Sequence, residues 1–474
     1  LKIMRKTIFI FLAALTLSIS ANAQQNLRTA YFLDGYTYSY KFNPAFQGER
    51  GFLAIPIVGK TGVGVESGLA LSTFLYPTAD GKLATFMHPS VSSEDFLGSL
   101  KDFNRMNMNL DVPVFALGFY TGDLYHTIDI SARADAGFGV PKTLFSFMKE
   151  GSANGIDTWN ITNIGARADA RMELAYGISS RLFDFINVGA RFKVLVGLMH
   201  ADLMMNNMNL KMAADEWSVA ADGQLKVNGI VGIEDVTDLS TITYPTSIEE
   251  FKNIGPSVGY AIDLGVSVDF LEYFTASASI LDLGAIKWAQ GFNASTPADV
   301  EPWVFSGFEE LPLNGLESFV NEQLTVVADD LMDLFNITQY EESGADKTSL
   351  GATAHIALEA RMPFYERLSF GVLGTHRFNG PYSWTEGRFS ANVAPLRSLS
   401  ASCSYAISDF GSSLGAALNL HAGGLTLFAG VDSILPFFNV TPQFIPVESW
   451  NTNLTLGMNL TLGTYRGRFP KAVK

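Results

Sequence analysis

The stretch Ile186-Asn187-Val188-Gly189-Ala190-Arg191-Phe192-Lys193-Val194 alternates without a break. Ile186, Val188, Ala190, Phe192 and Val194 share one parity, and Asn187, Gly189, Arg191 and Lys193 the other. A β-strand turns successive side chains to opposite faces, so the segment has one apolar face and one charged face. The pattern holds over 186–198, far longer than the roughly five or six residues of a common globular strand.

The same reading repeats along the chain. Ala166, Ala168, Ala170, Met172 and Leu174 alternate with Arg167, Asp169, Arg171 and Glu173. Ile128, Ile130, Ala132 and Ala134 alternate with Asp129, Ser131, Arg133 and Asp135. Leu454, Leu456, Met458, Leu460 and Leu462 alternate with Thr455, Gly457, Asn459 and Thr461. Fourteen strands are expected, at about 62–71, 106–119, 124–140, 158–178, 186–204, 258–270, 273–286, 349–362, 367–378, 385–394, 398–407, 412–422, 425–432 and 450–463. Repeated long segments, apolar on one face and polar on the other, are the mark of a transmembrane antiparallel β-barrel with lipid outside and a polar lumen within. A soluble sandwich also alternates. Against it stand strand length, the lack of any disulfide, and aromatic clusters at strand ends such as Phe119-Tyr120, Phe183 with Phe185, and Tyr273-Phe274.

Composition agrees. Of 474 residues, 47% are hydrophobic and only 17% charged, with 43 Gly, 36 Phe and 16 Tyr. Beyond the N-terminus no run of about 18 apolar residues exists, which excludes a helical membrane bundle. The net charge of −15 argues against nucleic-acid binding, which needs clustered Lys and Arg. A single cysteine, Cys403, supports neither an internal disulfide nor a Cys-based metal site.

At the N-terminus Lys2, Arg5 and Lys6 precede the apolar stretch Ile8 to Ile19 and the small-residue site Ala21-Asn22-Ala23. Residues 1–23 are therefore expected to be a cleaved signal peptide. Short turns (Gly122-Asp123, Ser179-Ser180, Leu271-Glu272, Gly423-Gly424) alternate with the long connections 72–105, 141–157, 205–257, 287–348 and 433–449. In outer-membrane barrels the short turns face the periplasm and the long loops the exterior. An even strand count puts both termini on the periplasmic side. Phe52–Val58 would make a fifteenth strand and is assigned to an N-terminal segment, residues 24–61. The barrel then spans 62–463, and 464–474 form a periplasmic tail. Helices are expected at 92–103, 142–150 and 316–335, and a hairpin around Trp217, Val219, Leu225 and Val227. Fourteen strands enclose a ring of about 28 Å, too wide for side chains to fill, so 24–61 is the candidate plug.

The order Tyr31-Phe32-Leu33, Phe42-Asn43-Pro44-Ala45-Phe46 and Gly51-Phe52-Leu53-Ala54-Ile55-Pro56 resembles an uncharacterised family of outer-membrane barrels found in Gram-negative bacteria of the type IX secretion lineage. The Asn-Pro-Ala motif also resembles that of the long-chain fatty-acid transporter (FadL-like) superfamily. The resemblance implies fourteen strands and an N-terminal hatch containing Asn43, Pro44, Ala45 and Phe46. A plain turn before a strand is the alternative reading of the motif. The chain departs from the pattern in running past its last strand as Thr464 to Lys474 instead of ending on an aromatic residue.

Little catalytic chemistry is visible. His88, His126, His200, His355, His376 and His421 lack metal-ligand spacing, and no serine is tied to His421 in a recognisable motif. No enzyme activity, metal or cofactor is expected. The candidate site is the lumenal charge ladder Arg133, Asp135, Arg167, Asp169, Arg171, Glu173, Arg191 and Lys193. It either anchors the hatch, binds a ligand head group, or satisfies itself as a structural ladder. The expected function is passive transport or binding of a hydrophobic small molecule. The alternative is a structural platform that docks partner proteins in an outer-membrane secretion or assembly complex. Expected partners are outer-membrane lipid, an apolar ligand, and outer-membrane or periplasmic proteins.

Overall fold

In a computed structural model the chain is described over residues 26–467, apart from 57, 78–82, 152–154, 214–216, 230–231, 234–241, 244–256, 297–302, 306–338, 344–345, 439–440, 442–446, 448 and 450. The expected signal peptide, the helix at 316–335 and the tail beyond 467 lie outside the described residues.

Fourteen antiparallel strands close into a barrel. The first, β1, is made of two pieces, Gly51–Ala54 and Thr61–Ser67. There follow β2 Phe103–Thr121, β3 Leu124–Pro141, β4 Thr158–Leu182, β5 Ile186–Met212, β6 Ser257–Phe270 and β7 Phe274–Lys287. The remainder are β8 Ala352–Met362, β9 Tyr365–Phe378, β10 Trp384–Leu396, β11 Leu399–Ser408, β12 Gly411–Ala422, β13 Leu425–Val431 and β14 Asn451–Leu462. Each pairs with its sequence neighbours, and β14 pairs with both pieces of β1 to close the ring.

The assignment of 52–58 to the N-terminal segment is corrected by this closure. Gly51–Ala54 pairs with β14 on one side and with Phe103–Thr121 on the other, as Thr61–Ser67 does. Two pieces sharing one slot keep the strand number even. Residues 55–60 leave the ladder between them. Pro113, which has no N–H to donate, and a β2 bulge at Pro113/Phe115 lie in the stretch of β2 facing this interruption.

The alternation fixes which face points where. Leu174, Tyr176, Phe192, Tyr260, Ile356 and Leu456 are exposed on the outside, Ile356 to 72%. On the opposite parity Asp129, Ser131, Glu173, Arg191, Asp263 and Glu386 are buried. Polar residues inside and large apolar ones outside invert the soluble rule. Aromatic rings gather on the outer surface at the short-turn end: Phe119 stacks on His126 at 5.1 Å, and Phe270 on Phe274 at 5.7 Å.

The turn expected at Ser179-Ser180 instead falls at 183–185, because Leu182 pairs with Ile186 and Phe183 takes a φ of 54°. β4 and β5 outrun any bilayer, at 25 and 27 residues, where about ten suffice. Their upper halves form a ribbon beyond the rim. There β5 pairs with Trp217–Gly229, which extends the sheet through Gly291–Ser295 to Gln339–Ser343. Helix α1, Ser93–Gly98, is capped by the Ser92 side chain; α2, Lys142–Glu150, packs Leu144 and Phe147 on Trp159, Ile161 and Met208 of the ribbon.

Candidate functional site

The N-terminal residues 26–50 lie inside the ring. The sequence dictates this, since Tyr31, Tyr36, Tyr38, Tyr40 and Phe42 can leave water only against one another and against the few apolar residues that face inward. They form one cluster with Phe52, Ala357, Leu373 and Phe428. Tyr38 sits edge-on to Phe52 at 5.8 Å and to Phe428 at 5.7 Å.

The Asn43-Pro44-Ala45 motif seats directly against the wall. Asn43 is fully buried. Its side-chain amide donates to the Val266 and Ala278 carbonyls at 3.1 and 3.2 Å, and its Oδ1 accepts from the Ala45 N–H at 2.9 Å. Ser279 donates to the Phe42 carbonyl at 2.7 Å. The wall makes room with two glycines that lie opposite each other in β5 and β6, Gly189 and Gly265. A Cβ on Gly265 would come 1.9 Å from Asn43 Oδ1, and one on Gly189 2.0 Å from the Pro44 carbonyl oxygen. Phe46 packs against the aromatic cluster. A second turn, Asp34-Gly35, has a φ of 72° at Gly35 and lies against His421 and Asn419. Ser400 and Asn419 both donate to the Asp34 carbonyl. His421, weighed above as a catalytic candidate, thus supports a backbone turn.

Charges meet in three nodes at mid-lumen. In the first, Arg28 reaches Glu386 at 2.9 Å and Glu66 at 2.8 Å, and its guanidinium lies over the Trp384 ring at 4.8 Å. Asp432 accepts from the Thr29 N–H at 2.7 Å, and Arg388 pairs with Glu386 at 2.9 Å. In the second, Lys41 and Lys60 share Asp111 at 3.0 and 3.1 Å. The third is the wall ladder. Arg191 bridges Asp129 and Asp263 at 2.7 and 2.9 Å and lies over the Tyr40 ring at 5.1 Å. Lys193 joins Asp263 to Asp282; Arg133 binds Glu173 and Asp282; Arg171 binds Asp135 and Glu173; Arg377 binds Asp135. Asp282 takes a φ of 59° where the β6–β7 register shifts, and this bulge brings its carboxylate to Lys193 and Arg133.

Six of the eight ladder residues named from the sequence therefore meet: Arg133, Asp135, Arg171, Glu173, Arg191 and Lys193. Arg167 and Asp169 stand apart nearer the ribbon, paired with each other at 3.5 Å and with Asn379 and His200. Sequence reasoning missed Arg28, Lys41, Lys60, Asp111, Asp282, Glu386 and Asp432. The available signal was strand parity for Asp111 and Glu386.

The space left among these charges is a partly open cavity of about 70 Å³, room for a few water molecules. A wider vestibule of about 210 Å³, lined by Phe32, Phe46, Glu49, Tyr120, Asp269 and Arg466, opens on the short-turn side. Outside the wall, an apolar groove of about 430 Å³ runs over Val58, Leu418, Leu427, Phe428 and Met458. Among the described residues no group of three or more His, Cys, Asp or Glu side chains is placed to hold a metal ion.

Fold and site define a closed fourteen-stranded antiparallel barrel with an occupied lumen. The chain belongs to the family of unknown function DUF5723, whose model matches residues 44–432. No curated protein matches the sequence. Among solved structures, the toluene transporter TbuX of Ralstonia pickettii is similar at a TM-score of 0.43 and 8% identity, over 93% of this chain and 100% of that one. A FadL homologue of Pseudomonas aeruginosa gives 0.40 and 11%, over 91% and 95%. The toluene transporter TodX of P. putida gives 0.40 and 8%, over 89% and 93%. Values this low say nothing about cargo.

Proposed function

We propose that this protein is an outer-membrane barrel of a Gram-negative bacterium, exported by the leader 1–23, that passes an apolar small molecule when the N-terminal segment shifts as a hatch. The observation that carries the reading is apolar continuity through the wall. Phe428 belongs to the lumenal aromatic cluster and also lines the outer groove. That groove borders residues 55–60, where β1 leaves the ladder and holds β14 through the Val58 carbonyl and the Met458 N–H at 3.0 Å. A break in a wall ladder is the least costly place for neighbouring strands to separate, since few backbone hydrogen bonds must be given up. The cargo would leave the aromatic cluster for the acyl chains at this seam, driven by its own concentration gradient. No catalytic step is involved.

The test is uptake of an apolar fluorescent probe into proteoliposomes. Val58→Trp fills the groove at the seam and is expected to lower the initial rate several-fold with barrel folding unchanged. Equal rates for the variant and wild type, or for wild type and empty liposomes, would end this reading. A second reading, a platform for partner proteins, is favoured by the ribbon of β4 and β5, whose sheet continues past the rim without any role in enclosing the lumen. Absence of probe uptake together with a stoichiometric protein partner purified from native membranes would select it.

A further inference from the structure

The three charged nodes are not balanced by the wall alone. Among the described residues, the wall supplies them with nine carboxylates: Glu66, Asp111, Asp129, Asp135 and Glu173, then Asp263, Asp282, Glu386 and Asp432. It supplies six cations: Arg133, Arg171, Arg191, Lys193, Arg377 and Arg388. Six against nine leaves three negative charges. The N-terminal segment brings two positive ones, Arg28 and Lys41, and Lys60 at the end of the interruption a third; all three are buried on wall carboxylates, of which Asp111 and Glu386 also meet the wall cations Arg133 and Arg388. Unpaired charges in a narrow, low-dielectric lumen are costly, so this match does not arise from solvated surface groups.

We infer that the N-terminal segment is the built-in counter-charge of a cation-selective lumen: once Asn43-Pro44-Ala45 leaves the Gly189/Gly265 slot, Arg28 and Lys41 go with it, and small cations pass while anions are excluded. With Lys60 still on Asp111 and Arg388 still on Glu386, nine carboxylates against seven cations then line the passage. Focusing of the field between low-dielectric walls raises the local concentration of the attracted ion by about tenfold or more. The inference goes beyond the apolar-cargo reading and needs only that the lumen open, so an inert seam at Val58 leaves it standing.

The experiment uses the full-length protein in planar bilayers under a potassium chloride gradient. Gly189→Ala with Gly265→Ala places two methyl groups where Asn43 and Pro44 now lie and leaves every lumenal charge in place. Asn43→Ala opens the same slot without adding wall volume and serves where the double variant folds poorly. Displacement is read by trypsin cleavage after Lys41, which is buried in the wild type. Expected are cleavage after Lys41, steady conductance absent from wild type, and a potassium-over-chloride preference of about tenfold. Adding Asp111→Asn and Glu386→Gln should lower the preference several-fold while conductance persists. Current without cation preference, current favouring chloride, or cleavage after Lys41 with no current overturns the inference. So does continued protection of Lys41 in both slot variants.

Discussion

Asn43 shows how one side chain can hold a segment. Its amide satisfies two carbonyls on facing positions of β6 and β7, Val266 and Ala278, while its oxygen closes the Ala45 turn. Asn43→Asp keeps the shape and removes both donors, so a carboxylate faces two buried carbonyls. Each orphaned acceptor costs about 1–3 kcal/mol, and hydrogen exchange of residues 30–46 is expected to speed up accordingly. Arg28→Met is expected to be worse, since it takes a buried guanidinium away from both Glu66 and Glu386. Breaking a buried ion pair from one side costs about 3–5 kcal/mol, to be read as loss of trypsin protection at Lys41. Tyr31 adds a pH effect. Burial pushes its phenol up to about 12 from an ordinary 10.0. A raised pKa in the folded state means stability complete below pH 10 and lost as pH rises through 12. Alkaline titration followed by tyrosinate absorbance should show the segment loosening in that window and remaining closed below it.

At the scale of the element, each wall strand carries two surfaces with opposite requirements. Ile356 of β8 is 72% exposed, and His355 beside it is buried against Thr375 at 3.0 Å. Ile356→Arg puts a charge on the acyl side and is expected to cost about 2–4 kcal/mol near the bilayer centre, measured by urea titration in liposomes. A cost near zero there would remove the membrane assignment of that face. The interrupted strand β1 is the exception among the walls. Its pieces have four and seven residues, and the bond between Val58 and Met458 spans the gap. Local opening at this seam is therefore expected before opening anywhere else in the ring, and amide exchange at residues 456–459 should be the fastest in β14.

For the whole molecule, the consequence is a barrel shut at rest. The N-terminal segment fills the ring, the charge nodes close on it, and residues 463–467 return beneath it. The Arg466 N–H donates to the Glu49 carbonyl at 2.7 Å, and the Arg466 guanidinium lies over the Tyr120 ring at 4.4 Å. Wild-type protein in a planar bilayer is accordingly expected to give no steady current. A persistently open pore in wild type would contradict the description of the lumen.

The period of two, read along one chain, decided that this protein makes long two-faced strands, and their even number decided that the first and last are antiparallel neighbours. Those are local properties: a side chain's parity follows from backbone geometry alone. Arg191 and Lys193 were visible as lumenal for that reason. That Asp129, Asp263 and Asp282 are their partners was not, because pairing depends on register between strands as far apart as β3 and β7. The split of β1 escaped the sequence because two pieces of four and seven residues, joined by Ile55 to Lys60, show no sustained period. Arg28 and Lys41 escaped it because they lie in short 3-10 turns with no repeat to place them. What fixes them is closure of the ring, which buries more carboxylates than cations in the wall and leaves one segment of chain within reach to offset the excess.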